Sequence, residues 1–484
     1  MFPTLQRLIR QGGIYALGNA LVKVAGLLLA PLYLNPVYLL PAHYGYLILL
    51  EVTAQVAILL GGLGVASGLL KYLSDASYRE EHAALPFTAW VVAGAGAILM
   101  GSLFWISAPV IRDGLLSEEV ALRVVRLLGG YVVLKIIASV PYMVLRVKER
   151  AEWYVVGVAL EMLVLIGGVY YLLAVRRMGL EGVMMAYIAS AGSSALLFSV
   201  ALLKQVRWQF QKRWARQLVR FGMPLAVAGF ASLFLNVGDR YLLRWLAGAD
   251  EVAVYGWSAK FGGLLNMLFV QSFQMAFAVI ALKKFTETRA DPTFYRSAFR
   301  YYAIWTGWAV LGISLLAYDV TRWIAGHEAY LQIEVLVLPV TLGFLFYGLY
   351  YIVVNVLYAV EYTRVIPLLI AFAALVNVGL NLAFIPVWGA WGAAVATLLS
   401  YGVLLGLTAR IAEQHLKVSY PWGKIAQVVF AIVLLYGLAH LSVNWPMLFR
   451  LLWRLSLMVV YPLWWWARGE ASPKILQLWR KKAD

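Results

Sequence analysis

The chain is a succession of long apolar runs parted by short polar segments. A helix needs roughly 20 apolar residues to cross a bilayer. On that rule the pattern predicts about fourteen transmembrane helices, at 12–34, 44–71, 84–110, 120–145, 153–175, 180–203, 221–247, 252–282, 296–318, 330–357, 365–386, 389–409, 425–443 and 447–466. The first follows basic residues, as the core of a signal peptide would, but stays apolar well beyond that length and lacks a small-residue cleavage site, so a retained helix is expected. One corner is unusually tight. In LNLAFIPVWGAWGAAVAT (380–397), Pro386 is expected to end a span, Gly389 to permit the turn, and Gly392, Ala393 and Ala396 to let the next helix pack closely.

Composition agrees with an all-α polytopic membrane protein. Of 484 residues, 63% are hydrophobic and 13% charged, against about 25% charged in soluble chains. There is no cysteine, which excludes disulfides, thiol catalysis and cysteine-ligated metals. The five histidines are scattered without metal-binding spacing, so neither a metal site nor a catalytic group is expected.

The net charge of +17 sits mostly in short segments between the spans, which points to lipid headgroups and topology rather than to nucleic acid. Most of these cations fall on the side of the N-terminus, predicting a plasma (inner) membrane location with both termini cytoplasmic. The longest connection on that side, KQVRWQFQKRWARQLVR (204–220), has no acid and is expected to lie along the anionic leaflet. The tail 467–484 is expected to anchor in the same way.

The sequence also repeats itself at an offset of 210 to 212 residues. Arg10 aligns with Arg220, Tyr44-Gly45 with Tyr255-Gly256, Leu145 with Leu357, and Gly179-x-x-Gly182 with Gly389-x-x-Gly392. Matches in this order imply two six-helix halves entering from the same side, which makes them parallel repeats. The expected organisation is an N-lobe at 1–203, the basic linker 204–220, a C-lobe at 221–410, two added helices in 411–466 and the basic tail 467–484.

Three stretches carry a resemblance. GNALVKVAGLLLAPLYLNPVYLLPAHYGYLILLE (18–51) followed by GGLGVASGLLKY, the segment FGMPLAVAGFASLFLNVGDRYLLRWLAGADEVAVYGWSAKF (221–261), and the hairpin at 380–397 resemble the polysaccharide-transporter branch of the multidrug/oligosaccharidyl-lipid/polysaccharide exporter superfamily, which includes Wzx-type O-antigen flippases. The resemblance implies two lobes in a V around a central cavity lined by helices 1, 2, 7 and 8. It also implies alternating access that moves a lipid-linked, anionic glycan to the outer leaflet, and association with polysaccharide-assembly proteins.

Charge selects nearly the same helices independently. An ionised side chain at the bilayer centre costs about 2.5–3.5 kcal/mol. Seven lie well inside predicted spans: Lys23, Glu51, Lys135, Glu161, Asp239, Arg240 and Lys260. They must face a cavity or one another, whereas helices 3, 6, 9, 11, 12 and 13 show no comparable interior charge. Cations outnumber acids here, which suits an anionic group such as a diphosphate. Lys23 and Arg240 are the first candidates to hold it, with Lys260 and Lys135 adding to the field. Pairing is the competing reading: Glu161 with Lys135, Glu51 with Lys260 or Lys23, and Asp239 as a helix cap. Asp239 and Arg240 point about 100° apart on one helix, so mutual pairing is not expected. Glu51, Asp239 and Glu161 are also candidates to carry a coupling proton or sodium ion, with membrane potential as a further driving force. Tyr15, Asn19, Asn236, Asn266 and Gln271 are candidate glycan contacts, against interhelical hydrogen bonding.

Three rival activities frame these expectations. A membrane glycosyltransferase or polymerase would want clustered acids and a D-x-D motif, which the sequence lacks. A multidrug exporter would favour an acidic cavity. A peptidoglycan-precursor (lipid II) flippase has the nearest chemistry.

Overall fold

The computed structural model describes residues 25–75, 83–148, 150–203, 206–288 and 291–470. The regular elements among them are all helices. In chain order they are α1 (Ala30–Tyr33), α2 (Pro41–Gly61), α3 (Val65–Ser74), α4 (Leu85–Ile106), α5 (Ala108–Leu115), α6 (Leu122–Val147), α7 (Ala151–Val169), α8 (Gly179–Leu203), α9 (Lys212–Val237), α10 (Asp239–Leu246), α11 (Ala249–Leu265), α12 (Ser272–Thr288), α13 (Pro292–Ile324), α14 (Ile333–Ala359), α15 (Val365–His415), α16 (Trp422–His440) and α17 (Met447–Ala467). Among the described residues, twelve helices are long and apolar enough to cross a membrane. The expected count of fourteen is not reached. α15 alone, at 51 residues, covers two expected spans, and the expected span 12–34 lies largely outside the described residues.

The chain divides into two compact units, Met1–Gly256 with Ile324–His327, and Trp257–Trp323 with Glu328–Asp484. The division falls inside α11, whereas the repeat places its boundary in 204–220. α9 and α10, which begin the second repeat in sequence, therefore belong with the first unit.

Small residues set the packing of the first unit. Ala89, Ala93 and Ala97 recur every four positions on α4 and are fully buried, the spacing that lets two membrane helices approach closely. α6 packs against both α4 and α8, and α7 against α8. The sequence Gly61-Gly62-Leu63-Gly64 separates α2 from α3, with Leu63 and Gly64 at φ 52° and 64°. Beyond that break α3 lies against α9. A Cβ on Gly64 would stand 2.0 Å from the Gly222 carbonyl oxygen, so both positions require glycine. Gly45 is pressed just as closely against the backbone of Ala249.

α9 corrects the reading of the basic linker. Residues 212–220 are its first turns, and the helix runs on past Pro224, where one backbone hydrogen bond is missing, into the apolar run that follows. Trp214 and Leu218 of those turns are completely buried. That half of the linker therefore cannot lie flat on a leaflet while the rest of α9 crosses it. The expected anchor at 471–484 lies outside the described residues.

In the second unit α14 packs along α15. Gly389 breaks α15 with φ 55° and ψ −131°, at the predicted corner. The chain then folds back so tightly that a Cβ on Gly392 would come within 2.5 Å of the Phe384 carbonyl oxygen. Proline alone does not end the helix, since Pro386 is accommodated within it.

Candidate functional site

The interior charges of the first unit form two polar clusters joined by α2. In the first cluster, α6 places Lys135 against Glu161 of α7, and the two form an ion pair with 27% and 21% of their side chains exposed. Lys135 also stands 5.9 Å from the Tyr131 ring centroid, one turn earlier on α6. Tyr131 packs against Tyr187 of α8, with ring centroids 5.5 Å apart. The Tyr187 hydroxyl donates to Glu51 of α2 at 2.5 Å. Four helices thus contribute one run of polar side chains, Glu161, Lys135, Tyr131, Tyr187 and Glu51. Pairing has claimed Lys135, and the hydroxyl of Tyr187 is a partner of Glu51 that the sequence did not suggest.

Two residues past Glu51, the Thr53 hydroxyl meets the Tyr241 hydroxyl at 2.9 Å, which leads to the second cluster. Here the expectation that Asp239 and Arg240 do not pair is overturned. Arg240 Nη1 donates to Asp239 Oδ1 at 2.9 Å and to the Asn236 carbonyl oxygen at 2.9 Å. The expected continuous helix breaks at Gly238, so Asp239 is the first residue of a new helix, α10. Asp239 and Arg240 still follow one another on that helix, so their Cβ directions diverge as expected, but the long arginine side chain reaches back along α10 to the carboxylate. Asp239 is only 1% exposed, and its Oδ2 accepts from the Tyr255 hydroxyl. Tyr255 in turn lies under the guanidinium, 5.5 Å from ring centroid to Cζ. Nη1 makes both of Arg240's hydrogen bonds to protein among the described residues. Its Nε and Nη2 are left with donor capacity on a planar fork suited to phosphate or carboxylate oxygens.

The remaining candidates are dispersed. Asn236 donates through Nδ2 to the Ser232 carbonyl oxygen at 2.7 Å, the interhelical-polar residue turned inward on its own helix. Lys260 is partly buried on α11 in the second unit. Asn266 and Gln271 are the first and last residues of a π-helical turn that links α11 to α12. Such turns occur often at functional positions. The Asn266 Oδ1 is buried without a hydrogen-bond partner, whereas Gln271 is exposed. Lys23, Tyr15 and Asn19 lie outside the described residues.

A further charged group was missed by the span count. Asp319 of α13 lies just past the predicted end of its span at 318, and the helix continues to Ile324. Its two carboxylate oxygens accept from Arg450 Nε at 2.7 Å and Arg454 Nη1 at 2.9 Å, both on α17. Arg454 Nη2 also donates to Glu334 of α14 at 3.0 Å, and His440 Nδ1 of α16 lies 3.4 Å from the same oxygen. Arg450 and Arg454 are 2% and 3% exposed. The expectation that helix 9 has no interior charge therefore fails. The available signal was the i, i+4 arginine pair in a helix too apolar to leave it unpaired.

The sequence pattern of the polysaccharide biosynthesis protein family matches residues 8–281, more than half of the chain. The chain belongs to that family. It stands within the multidrug/oligosaccharidyl-lipid/polysaccharide superfamily. No curated protein sequence matches it. Among solved structures, the inward closed conformation of the lipid II flippase MurJ is similar, with a TM-score of 0.72 at 14% identity, covering 93% of this chain and 98% of that one. An inward-facing multidrug resistance MATE family transporter gives 0.65 at 14% identity, covering 82% and 94%. A superfamily transporter from Pyrococcus furiosus, described as having a binding pocket of reverse polarity, gives 0.57 at 16%, covering 85% and 95%. This member of the polysaccharide biosynthesis family thus shares its fold with membrane flippases and exporters along nearly its whole length.

Proposed function

We propose that the protein is a flippase that carries a polyprenyl-diphosphate-linked oligosaccharide from the cytoplasmic to the outer leaflet of the plasma membrane, by alternating access, for cell-surface polysaccharide assembly. The observation that carries this reading is the family match over 8–281, which covers every interior charge singled out from the sequence. It is a transporter and makes or breaks no covalent bond in its substrate.

Arg240 supplies the diphosphate contact. Asp239 and the Asn236 carbonyl hold Nη1, so the guanidinium is fixed before the ligand arrives and little further rotamer entropy is lost. Its free edge then meets phosphate oxygens, with Lys23 as second cation. Asp239 balances the arginine when no substrate is bound, which limits the cost of a buried charge. Lys135 has a carboxylate partner of its own and serves the packing of α6 on α7. Glu51, held by a neutral tyrosine hydroxyl, is the carboxylate for a coupling proton or sodium ion. The protein's partners are its lipid-linked glycan and the anionic lipids around it.

The test is transfer of a fluorescent polyprenyl-diphosphate oligosaccharide across proteoliposome membranes, with wild type beside Arg240→Glu and Lys23→Glu. Transfer by wild type that both variants lose is the expected result. Transfer unaffected by either change refutes the diphosphate site. A lipid II flippase is the second reading, favoured by the similarity to MurJ. Faster transfer of lipid II than of the oligosaccharide lipid would replace the first reading with it.

A further inference from the structure

The nine residues that begin α9 hold three cations on one face. Lys212, Arg216 and Arg220 follow one another at four-residue spacing, which stacks them along a single side of a helix about 6 Å apart. All three are exposed, and none pairs with a carboxylate among the described residues. The opposite side of these turns is buried through Trp214 and Leu218. α3 is locked to α9 by the Gly64–Gly222 backbone contact and by Gly68 against Leu218. It brings in a fourth cation, Lys71, whose Nζ stands 4.2 Å from the ring centroid of Phe221, the residue after Arg220.

The direction of this ladder separates it from an ordinary basic anchor. Anchoring helices lie in the membrane plane, with their charges at one depth. α9 is 26 residues long, about 39 Å, whereas the hydrocarbon core is about 30 Å thick. Its apolar part starts at Phe221, so the ladder runs on beyond the core for about 13 Å, farther than the roughly 5–7 Å headgroup layer on one side. Phospholipid phosphates occupy one level of that layer. A lipid whose head begins with two consecutive phosphates and continues into a glycan reaches across several rungs.

We propose that Lys212, Arg216 and Arg220, with Lys71 beside them, form a receiving site for the diphosphate of the lipid-linked substrate at the membrane surface, distinct from Arg240. The inference rests on the flippase reading for its ligand and on α3 and α9 for its geometry. Arginine rungs offer bidentate forks to successive phosphates. Lysine rungs add charge, and the stack guides the head along α9 toward the membrane.

The experiment uses the full chain in vesicles of neutral phosphatidylcholine, with a polyprenyl diphosphate lacking glycan as the probe and native mass spectrometry as the readout of binding. The triple variant Lys212→Gln, Arg216→Gln, Arg220→Gln should bind at least about tenfold more weakly, with a shallower salt dependence, as neutralising several cations in one site requires. Arg216→Lys with Arg220→Lys should keep most of the binding. All these positions are exposed, so folding is expected to survive, and a thermal melt verifies it. Binding by the triple variant equal to wild type overturns the proposal, and so does mole-for-mole displacement of the probe by phosphatidylglycerol, which would make the ladder a sensor of leaflet charge alone. Flipping assayed in parallel separates the two readings. A wild type that binds through the ladder but translocates no lipid-linked glycan would end the flippase reading and leave the receiving site standing.

Discussion

The two units handle charge inside the membrane in opposite ways. In the second, Asp319, Glu334, Arg450 and Arg454 come from three helices and are sealed, the arginine and Asp319 side chains at 3–5% exposure. In the first, Lys135 and Glu161 keep about a quarter of their side chains exposed, and Arg240 commits one nitrogen of its fork. A charge in a membrane helix is commonly read as a functional site. The contrast teaches that exposure matters more than position. A group shut in by ion pairs on both sides, as Arg454 is even with its Nε unbonded, holds helices together, and one that keeps an open face can take a ligand.

The sealed network offers the largest effect. Arg454→Met leaves Asp319 and Glu334 each short of a partner, and removal of one member of a buried ion pair costs about 3–5 kcal/mol. The variant should be lost from the membrane or melt far below wild type in detergent. Replacing all four charges together with Met and Leu should restore much of that stability, because apolar residues of similar volume carry no desolvation penalty. If Arg454→Met folds as well as wild type but fails to transport, the network belongs with function and the contrast collapses.

Arg240 sharpens the comparison from the other side. Arg240→Gln uncovers the buried Asp239 carboxylate and should lower stability as well, but with transport normalised to folded protein in the membrane it should cut flipping at least about tenfold, since it removes a charge-assisted contact to the diphosphate. Arg240→Lys should recover only part, as an ammonium cannot present two parallel donors. A lysine variant as active as wild type would show that field strength alone suffices there.

The Lys135–Glu161 pair should give less. Partly exposed pairs are worth about 1 kcal/mol or below, so Lys135→Gln and Glu161→Gln singly should each lower the melting temperature slightly, with near-normal transport. Their double variant should lose less than the sum, the signature of direct coupling. A collapse of transport in Lys135→Gln alone would return Lys135 to the substrate.

Much of this was legible in the chain. Long apolar runs fixed the helices, because hydrocarbon tolerates no unsatisfied backbone. The hairpin at Gly389 was readable from Ile-Pro followed by paired glycines. The Lys135–Glu161 pair could be named as one option, since both lie near mid-span on neighbouring helices. Partners set by tertiary contact could not be read. Nothing local to Glu51 says that Tyr187, 136 residues later, will cover it. The Arg240–Asp239 pair also escaped, because the 100° between neighbouring Cβ directions on a helix does not limit where the end of a long arginine side chain can reach. Asp319 was missed because a span boundary drawn at 318 discards whatever polar residue follows it, and the helix did not stop there.

A separate prediction tests whether backbone strain, rather than charge, governs the Gly389 hairpin of the second unit. Gly389 holds φ 55° and ψ −131°, beyond the ordinary left-handed well and reached readily only without a Cβ. Gly389→Ala should cost on the order of 1–3 kcal/mol, less than the loss of Arg454, because the strain is local and no charge is uncovered. Gly392→Ala at the same hairpin keeps a helical backbone but drives a methyl to 2.5 Å from the Phe384 carbonyl oxygen, so the helices must part. Thermal melts of the two variants separate the causes. If Gly392→Ala is the more damaging, close approach holds the corner, and the small residues after it act as the alanine stripe of α4 does in the first unit. If Gly389→Ala is worse, the turn conformation is what the sequence protects there, and the hairpin's packing can tolerate change.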